Sequence, residues 1–172
     1  QAFRRHARAR GATYVTAEAR GFETAAGSIA AVRLADGSAI AGDLFVDAAG
    51  PWAAEVARWI GVDLPVRARR RCVFSFSCPT PIERSPLVID PSGAWFRPEG
   101  PGRFIAGVAP AVADDPDEPP LTVDHALFDD VLWPALARRV PAFEAIRVHG
   151  AWAGYYEFNT VDQNGIVGPH PG

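Results

Sequence analysis

Methionine and lysine are absent from this 172-residue sequence, and cysteine occurs only twice. With no lysine, every basic side chain is an arginine, and the arginines are scattered without aromatics at regular spacing between them. That sets aside a nucleic-acid-binding stripe and favours solvated helix and strand faces. No apolar run approaches the ~20 residues of a membrane span. The opening QAFRRHARAR reads as a basic helix with no apolar run behind it, so no secretory leader is expected there. Cys72 and Cys78 lie six apart in a strand-like segment with no histidine nearby in sequence. A metal site needs more ligands and a disulfide framework needs more pairs. Both cysteines are therefore expected to be reduced, packed thiols of a cytoplasmic protein. There is no internal repeat, no low-complexity tract and no constellation of the Ser/His/Asp kind.

What is present is the composition of an ordinary globular domain with a real core: 48% apolar, 22% charged, net charge −3. The charge is uneven. Most arginines fall before position 72, while residues 110–130 are acidic. The sequence begins inside a helical pattern and ends just after the strand-like GIVGP. The expectation is a chain cut at both ends, whose bared surface would favour self-association.

Residues 1–10 read as the end of an amphipathic helix stopped by Gly11. TYVTAEARGFE is rich in β-branched and aromatic residues and reads as a strand, followed by a Gly27-Ser28 turn and the strand IAAVRLA. Asp36-Gly37 is a hairpin signal, because both central positions favour positive φ. SAIAGDLFVDAA follows as a strand whose LFV run reads as buried. Gly50-Pro51 breaks it, and Trp52, Val56, Trp59 and Ile60 then recur at helical spacing up to Gly61.

From Pro65 the pattern turns to short strands: RRRCVFSFS, two strands around Pro91-Ser92-Gly93, and GRFIAGVAP. ADDPDEPPL reads as a surface loop, and VDHALFDDVLWPALARRVP as a helix interrupted near Pro134. AIRVHGAWAGYYEFN returns to strand. Hairpin-joined strands with a few helices make the expected class α+β.

The segment DLFVDAAGPWA, starting at Asp43, has a buried-strand pattern running into Ala48-Ala49-Gly50, a turn almost without side-chain bulk. Such a turn lets another backbone or a flat cofactor approach closely. With its surroundings it resembles the D-amino-acid oxidase and sarcosine oxidase superfamily of FAD-dependent oxidoreductases. In that superfamily this turn lies beside the FAD adenosine and diphosphate, and the preceding strands form a three-stranded β-meander.

The resemblance covers the whole chain. RRRCVFSF and GAWFRPEGPGRFIAGV resemble the superfamily's substrate-binding sheet, and WAGYYEFNTVDQNGIVGP its strand and turn returning to the flavin. WAGYYEFNT, DQNGIVGPHP and VDHALFDDVLWPALARRVPAFE are most similar to a subgroup, mitochondrial and bacterial, associated with respiratory complex I assembly. The resemblance implies three parts. Residues 1–62 are a partial FAD-binding domain, 63–150 a substrate-binding domain, and 151–172 a return strand and turn toward the FAD domain.

It also implies FAD as cofactor, with Ala19, Ala48, Ala49, Gly50 and Trp52 on its side of the protein, and a small amine or amino acid as substrate. Tyr155, Tyr156 and Arg97 are the candidate catalytic residues. The implied reaction is oxidation of a C–N bond by hydride transfer to flavin, which needs no acid–base triad. A low-turnover assembly or binding factor is the alternative.

Several departures bear on this. The Gly-rich phosphate loop G-x-G-x-x-G of a Rossmann unit is absent; GPGRFIAGV lacks the third glycine and leads into a strand. The superfamily's C-terminal glycine-rich segment, which closes over the flavin, is absent too. Weak or absent FAD binding is therefore expected of these 172 residues alone. Where amino-acid oxidases resemble WAG-L-R-P, with an arginine for the substrate carboxylate, this chain has Tyr156. A phenol donates one hydrogen bond and supplies no charge, so carboxylate binding must use another residue or the substrate differs. Neither cysteine lies near the place where sarcosine oxidases bond covalently to flavin, and that linkage is not expected.

Simpler readings accompany the individual residues. Tyr155 and Tyr156, as strand neighbours, face opposite ways. Arg97 has Glu99 two positions away on its own face, the spacing of a structural salt bridge. Arg70 should point opposite to Arg69 and Arg71. His149 reads as a hydrogen-bonded histidine at a strand edge, and His125 stands alone in sequence.

Overall fold

The computed structural model describes residues 1–82 and 84–168. The last four residues, which close DQNGIVGPHP and the expected 151–172 segment, lie outside the described residues. The chain divides into two units, Gln1–Ala48 with Glu55–Leu64, and Ala49–Ala54 with Pro65 onward.

In the first unit, helix α1 (Ala2–Ala9) ends as its sequence predicts. Gly11 takes φ +91°, and the amides of Gly11 and Ala12 donate to the carbonyls of Arg8 and Ala7, which satisfies carbonyls that a helix end leaves open. A three-stranded antiparallel meander follows: β1 (Ala19–Ala25), β2 (Ser28–Leu34) and β3 (Ala39–Ala41), in that order across the sheet. Phe22 on β1 packs edge-on against Phe45 and Trp59, with ring centroids 6.1 and 5.6 Å away. At Asp36-Gly37 the amide and hydroxyl of Ser38 both donate to Asp36 Oδ1, and Gly37 sits at φ +86°.

Three expectations are corrected here. The strand begins at Ala19 rather than at Thr13: the Glu18 carbonyl still takes the Ala35 amide, but residues 13–17 find no ladder partner among the described residues. The first turn centres on Ala26-Gly27, with φ of +50° and +81°, one position before Gly27-Ser28. The LFV run is not a buried strand: Leu44 and Val46 are 85% and 81% exposed. Residues 43–49 follow β3 with no strand assignment, and only Phe45 turns toward the meander.

A 3₁₀ turn (Gly50–Trp52) leads into helix α2 (Ala53–Arg58), and the amides of Gly61 and Val62 close it on Arg58 and Ala57 as at the end of α1. Gly50 takes φ +56°, which its lack of a Cβ makes inexpensive.

The second unit is built on a five-stranded antiparallel sheet in the order β5-β6-β7-β4-β8. Its strands are β4 (Val66–Ser77), β5 (Val88–Ile89), β6 (Trp95–Gly100), β7 (Arg103–Gly107) and β8 (Arg147–Asn159). β8 pairs with β4 along its whole length, from Val66 opposite Asn159 to Ser77 opposite Arg147.

The alternation read in RRRCVFSFS is the alternation of the sheet. Cys72, Phe74 and Phe76 are buried on one face with Phe96, Phe104 and Ala106. Helical segments cover that face: α3 (His125–Leu127), a wider turn (Phe128–Leu132), α4 (Trp133–Arg139) and a 3₁₀ turn (Pro141–Ala145). Phe143 plugs the centre, with ring centroids 5.0–5.2 Å from those of Phe96, Phe76 and Phe104. Cys72 and Cys78 are buried free thiols. Cys78 Sγ donates to the Ala142 carbonyl, and Cys72 Sγ accepts from the Asp124 amide.

The interruption expected at Pro134 takes a particular form. The Trp133 amide bonds to the Phe128 carbonyl, five residues back, so the helix widens by one residue just before the proline. That π turn absorbs a ring which has no N–H to give and would crowd the carbonyl four residues earlier.

Candidate functional site

The other face of the same sheet is open. Side chains alternate across a strand, so the residues of β8 on that face are Gly150, Trp152, Gly154 and Tyr156, lying opposite Ser75, Val73, Arg71 and Arg69 of β4. Glycine alternates with an aromatic. A Cβ built on Gly150 or Gly154 meets no atom within 4 Å, so the backbone of β8 is bare there and a flat group can lie against it. Trp152 and Tyr156 are both substantially exposed.

A cavity of about 330 Å³ indents this unit, lined by Arg71, Cys72, Gly93, Trp95, Val108, Ala109 and Tyr156. Trp95 owes its position to Gly107 opposite it on β7: a Cβ at that glycine would come within 2.9 Å of the indole and 3.0 Å of the Cys72 carbonyl oxygen. The Arg71 guanidinium carbon stands 5.4 Å from the centroid of the Tyr156 ring, within cation–π distance.

Arg71 is held from behind. Its Nη1 and Nη2 donate to Oδ1 and Oδ2 of Asp115 at 2.8 and 3.0 Å, and Nη1 also donates to the Arg70 carbonyl at 2.8 Å. Asp115 belongs to the acidic ADDPDEPPL loop, yet it is only 9% exposed. The loop is drawn in along the start of β4, where Asp117 bridges to Arg69 and the Glu118 amide donates to the Ala68 carbonyl. Arg69 Nε lies 2.9 Å from Asp117 Oδ1 at ion-pair distance but without hydrogen-bond geometry. Arg70 points away from both neighbours, as alternation requires, and donates to the Pro120 carbonyl and Thr122 Oγ1.

The candidates named from sequence fall in different places. Tyr156 lines the cavity. Tyr155 faces the other way: its hydroxyl donates to the Pro119 carbonyl at 2.9 Å, and the half-exposed Trp52 meets its ring edge-on with centroids 5.8 Å apart. Trp52 and Tyr155 are thus brought together, as are Tyr156 and Arg71. Arg97 is on β6, exposed, in an ion pair of 2.6 Å with Glu99, and is not part of the cavity wall.

Ala19 opens β1 opposite Leu34, exposed, and Ala48 is likewise exposed in the first unit. Ala49 and Gly50 are half-buried at the start of the 3₁₀ turn. His149 Nε2 lies 2.8 Å from Ser77 Oγ, at the irregularity where the β4–β8 register shifts. Among the described residues no cluster of His, Cys, Asp or Glu could hold a metal, and no helix is long and apolar enough to cross a membrane. Sequence reasoning did not single out Arg71 as a site residue, nor Trp95. Arg71 sat in a run of three arginines, and its partner is 44 positions away.

The comparisons with known proteins agree with this architecture. The family described as "DAO: FAD dependent oxidoreductase" matches residues 1–172. FAD-dependent oxidoreductase domain-containing protein 1 of Bos taurus is 46% identical over 141 residues, covering 74% of this chain and 29% of that protein. The Xenopus laevis protein of the same name is also 46% identical over 141 residues, with 74% and 28% covered. The chain thus spans less than a third of the length of these relatives.

Among solved structures, L-proline dehydrogenase from P. horikoshii superposes with a TM-score of 0.80 at 25% identity, over 98% of this chain and 45% of that one. Glycine oxidase from Geobacillus kaustophilus shares the fold, with a TM-score of 0.74 at 21% identity, over 92% of this chain and 40% of that one. The α+β sheets and the meander are those of this group, and the chain belongs to the FAD-dependent oxidoreductase family.

Proposed function

We propose that this chain supplies the substrate-facing sheet of an FAD-dependent oxidoreductase that oxidises the C–N bond of an amine or amino acid. The carrying observation is the open face on which Gly150, Trp152, Gly154 and Tyr156 alternate, with the Arg71 cavity in the same sheet. Those residues fit a flat ring: two bare glycines give it backbone to approach, and the aromatics border it. Held against that face, FAD would supply the acceptor for a hydride from the carbon beside the substrate nitrogen. The chain's own part is to orient and enclose the substrate. Tyr156 and Trp95 wall the cavity with apolar surface and keep water from it, and Arg71 provides a fixed positive charge.

Ala19, Ala48, Ala49, Gly50 and Trp52 belong, in this reading, to the side that meets the adenosine and diphosphate. With no G-x-G-x-x-G in the sequence, these 172 residues alone retain FAD weakly or not at all. A stoichiometric flavin absorption spectrum in the purified chain would contradict that.

The test of the reaction is anaerobic mixing of sarcosine, dimethylglycine, proline and D-amino acids with the flavin-loaded protein. That protein is this chain expressed with the flanking segments by which the curated relatives exceed it. Bleaching of the flavin by any of them is expected. Its absence across the panel would overturn the catalytic reading in favour of a low-turnover assembly or binding role.

A further inference from the structure

Helix α1 carries a charge pattern that helix stability does not ask for. Residues 1–17 hold four arginines, Arg4, Arg5, Arg8 and Arg10, and no aspartate or glutamate. Arg4 and Arg8 are four positions apart and Arg5 and Arg8 three, the spacings that bring side chains together on one face. Like charges so placed repel and weaken a helix. Among the described residues Arg4, Arg5 and Arg8 have no carboxylate partner. The arginines of β4 differ: Arg67, Arg69 and Arg71 are each matched to Asp115 or Asp117.

The three side chains also enclose space. With Gln1 they line a groove of about 220 Å³. Tyr14, beyond the Gly11 helix end, stands against two of them: the guanidinium carbon of Arg4 is 3.6 Å from its ring centroid and that of Arg8 5.7 Å. Stacking on an aromatic ring uses the flat face of a guanidinium and leaves its N–H edge free. Tyr14 thus holds two positive charges side by side against their repulsion, with donors still open.

We infer that this face of α1 is a binding site for a compact oligophosphate, a diphosphate or triphosphate group free in solution. Guanidinium forks match phosphate oxygens, and a multiply charged anion offsets the repulsion among the three arginines. An anionic bilayer fits less well. Phe3 is the one bulky apolar side chain of α1 and the other apolar positions are alanines, too little surface to bury among lipids. The inference goes beyond the substrate-facing reading and uses none of the residues given there to cofactor or substrate.

The test needs no flavin. The 172-residue chain, labelled with ¹⁵N, is titrated at low salt with inorganic triphosphate and, separately, with sulfate, following the Nε–H signals of Arg4, Arg5 and Arg8. Saturable shifts of these signals with triphosphate, and binding of sulfate at least about tenfold weaker, are expected, the scale of one further charge-assisted contact. The triple variant Arg4→Gln, Arg5→Gln, Arg8→Gln should bind triphosphate at least about tenfold more weakly. Because α1 buries no residue, that variant keeps the parent's fold. Tyr14→Leu keeps every charge, removes the stack, and should weaken triphosphate by about threefold. No saturable binding of triphosphate, equal binding of sulfate, or parent-like affinity in either variant would each overturn the site. Vesicles of phosphatidylcholine with phosphatidylglycerol separate the other source of phosphate: co-sedimentation with them while free triphosphate does not bind would overturn it in favour of a lipid surface.

Discussion

Arg71 and Asp115 meet through two parallel hydrogen bonds of 2.8 and 3.0 Å, across 44 positions of sequence. The bonds tie the acidic loop to β4, next to the edge strand β8 of the five-stranded sheet. Both side chains are largely withdrawn from water, at 21% and 10% exposure. Removing one charge from such a pair leaves the other desolvated and unmatched. Asp115→Ala is therefore expected to destabilise the fold by about 3 kcal/mol, measured by urea denaturation. An effect within about 0.5 kcal/mol, the usual range for a surface change, would show that the loop is not anchored there.

The contact between Gly107 and Trp95 makes a second, steric prediction. Nothing in the Gly107 backbone demands glycine, since its φ is not in the left-handed region, but a methyl there would press on the indole at 2.9 Å. Gly107→Ala should displace Trp95 and cost about 1–3 kcal/mol, the range for overpacking a filled site. A parent-like Trp95 indole resonance in the variant would refute this.

At the tip of the meander hairpin, Asp36 titrates below the ordinary carboxylate range. The Ser38 hydroxyl is the larger cause and the Ser38 amide the next. A carboxyl depressed in the folded state stabilises that state above its unfolded pKa, and the contribution is lost as pH falls through the lowered folded value. Ser38→Ala removes one of the two bonds. The Asp36 pKa should rise toward the ordinary value without reaching it, as read by carboxyl ¹³C titration. An unchanged value would mean that the hydroxyl does not bond in solution.

How much of this was legible depended on the range of the interaction. The Asp36-Gly37 turn, the Gly11 and Gly61 helix ends and the alternation of Cys72, Phe74 and Phe76 are written in neighbouring residues, and they were readable. The first turn was misplaced by one residue because Ala26 carries a positive φ, a conformation that costs a Cβ-bearing residue and is not expected of alanine. The LFV run failed for a different reason. Apolar sequence declares a wish to be buried, but burial needs a partner, and the described residues offer none to Leu44 and Val46. The site was half legible in the same sense. Tyr156, named from its motif, lines the cavity, whereas the hold on Arg71 beside it comes from Asp115, 44 positions away, and no local pattern shows that pairing.

Leu44 and Val46 carry the last prediction. They lie in the irregular stretch 43–49 and present apolar side chains of the first unit to solvent. Exposed contiguous apolar surface promotes association. The 172-residue chain is expected to self-associate in a concentration-dependent way by light scattering, and the double variant Leu44→Ser, Val46→Ser should shift it toward monomer. Because neither side chain is packed, the variant should unfold at nearly the parent's urea midpoint. A parent that stays monomeric at every concentration, or a variant that associates equally, would remove this segment as the contact.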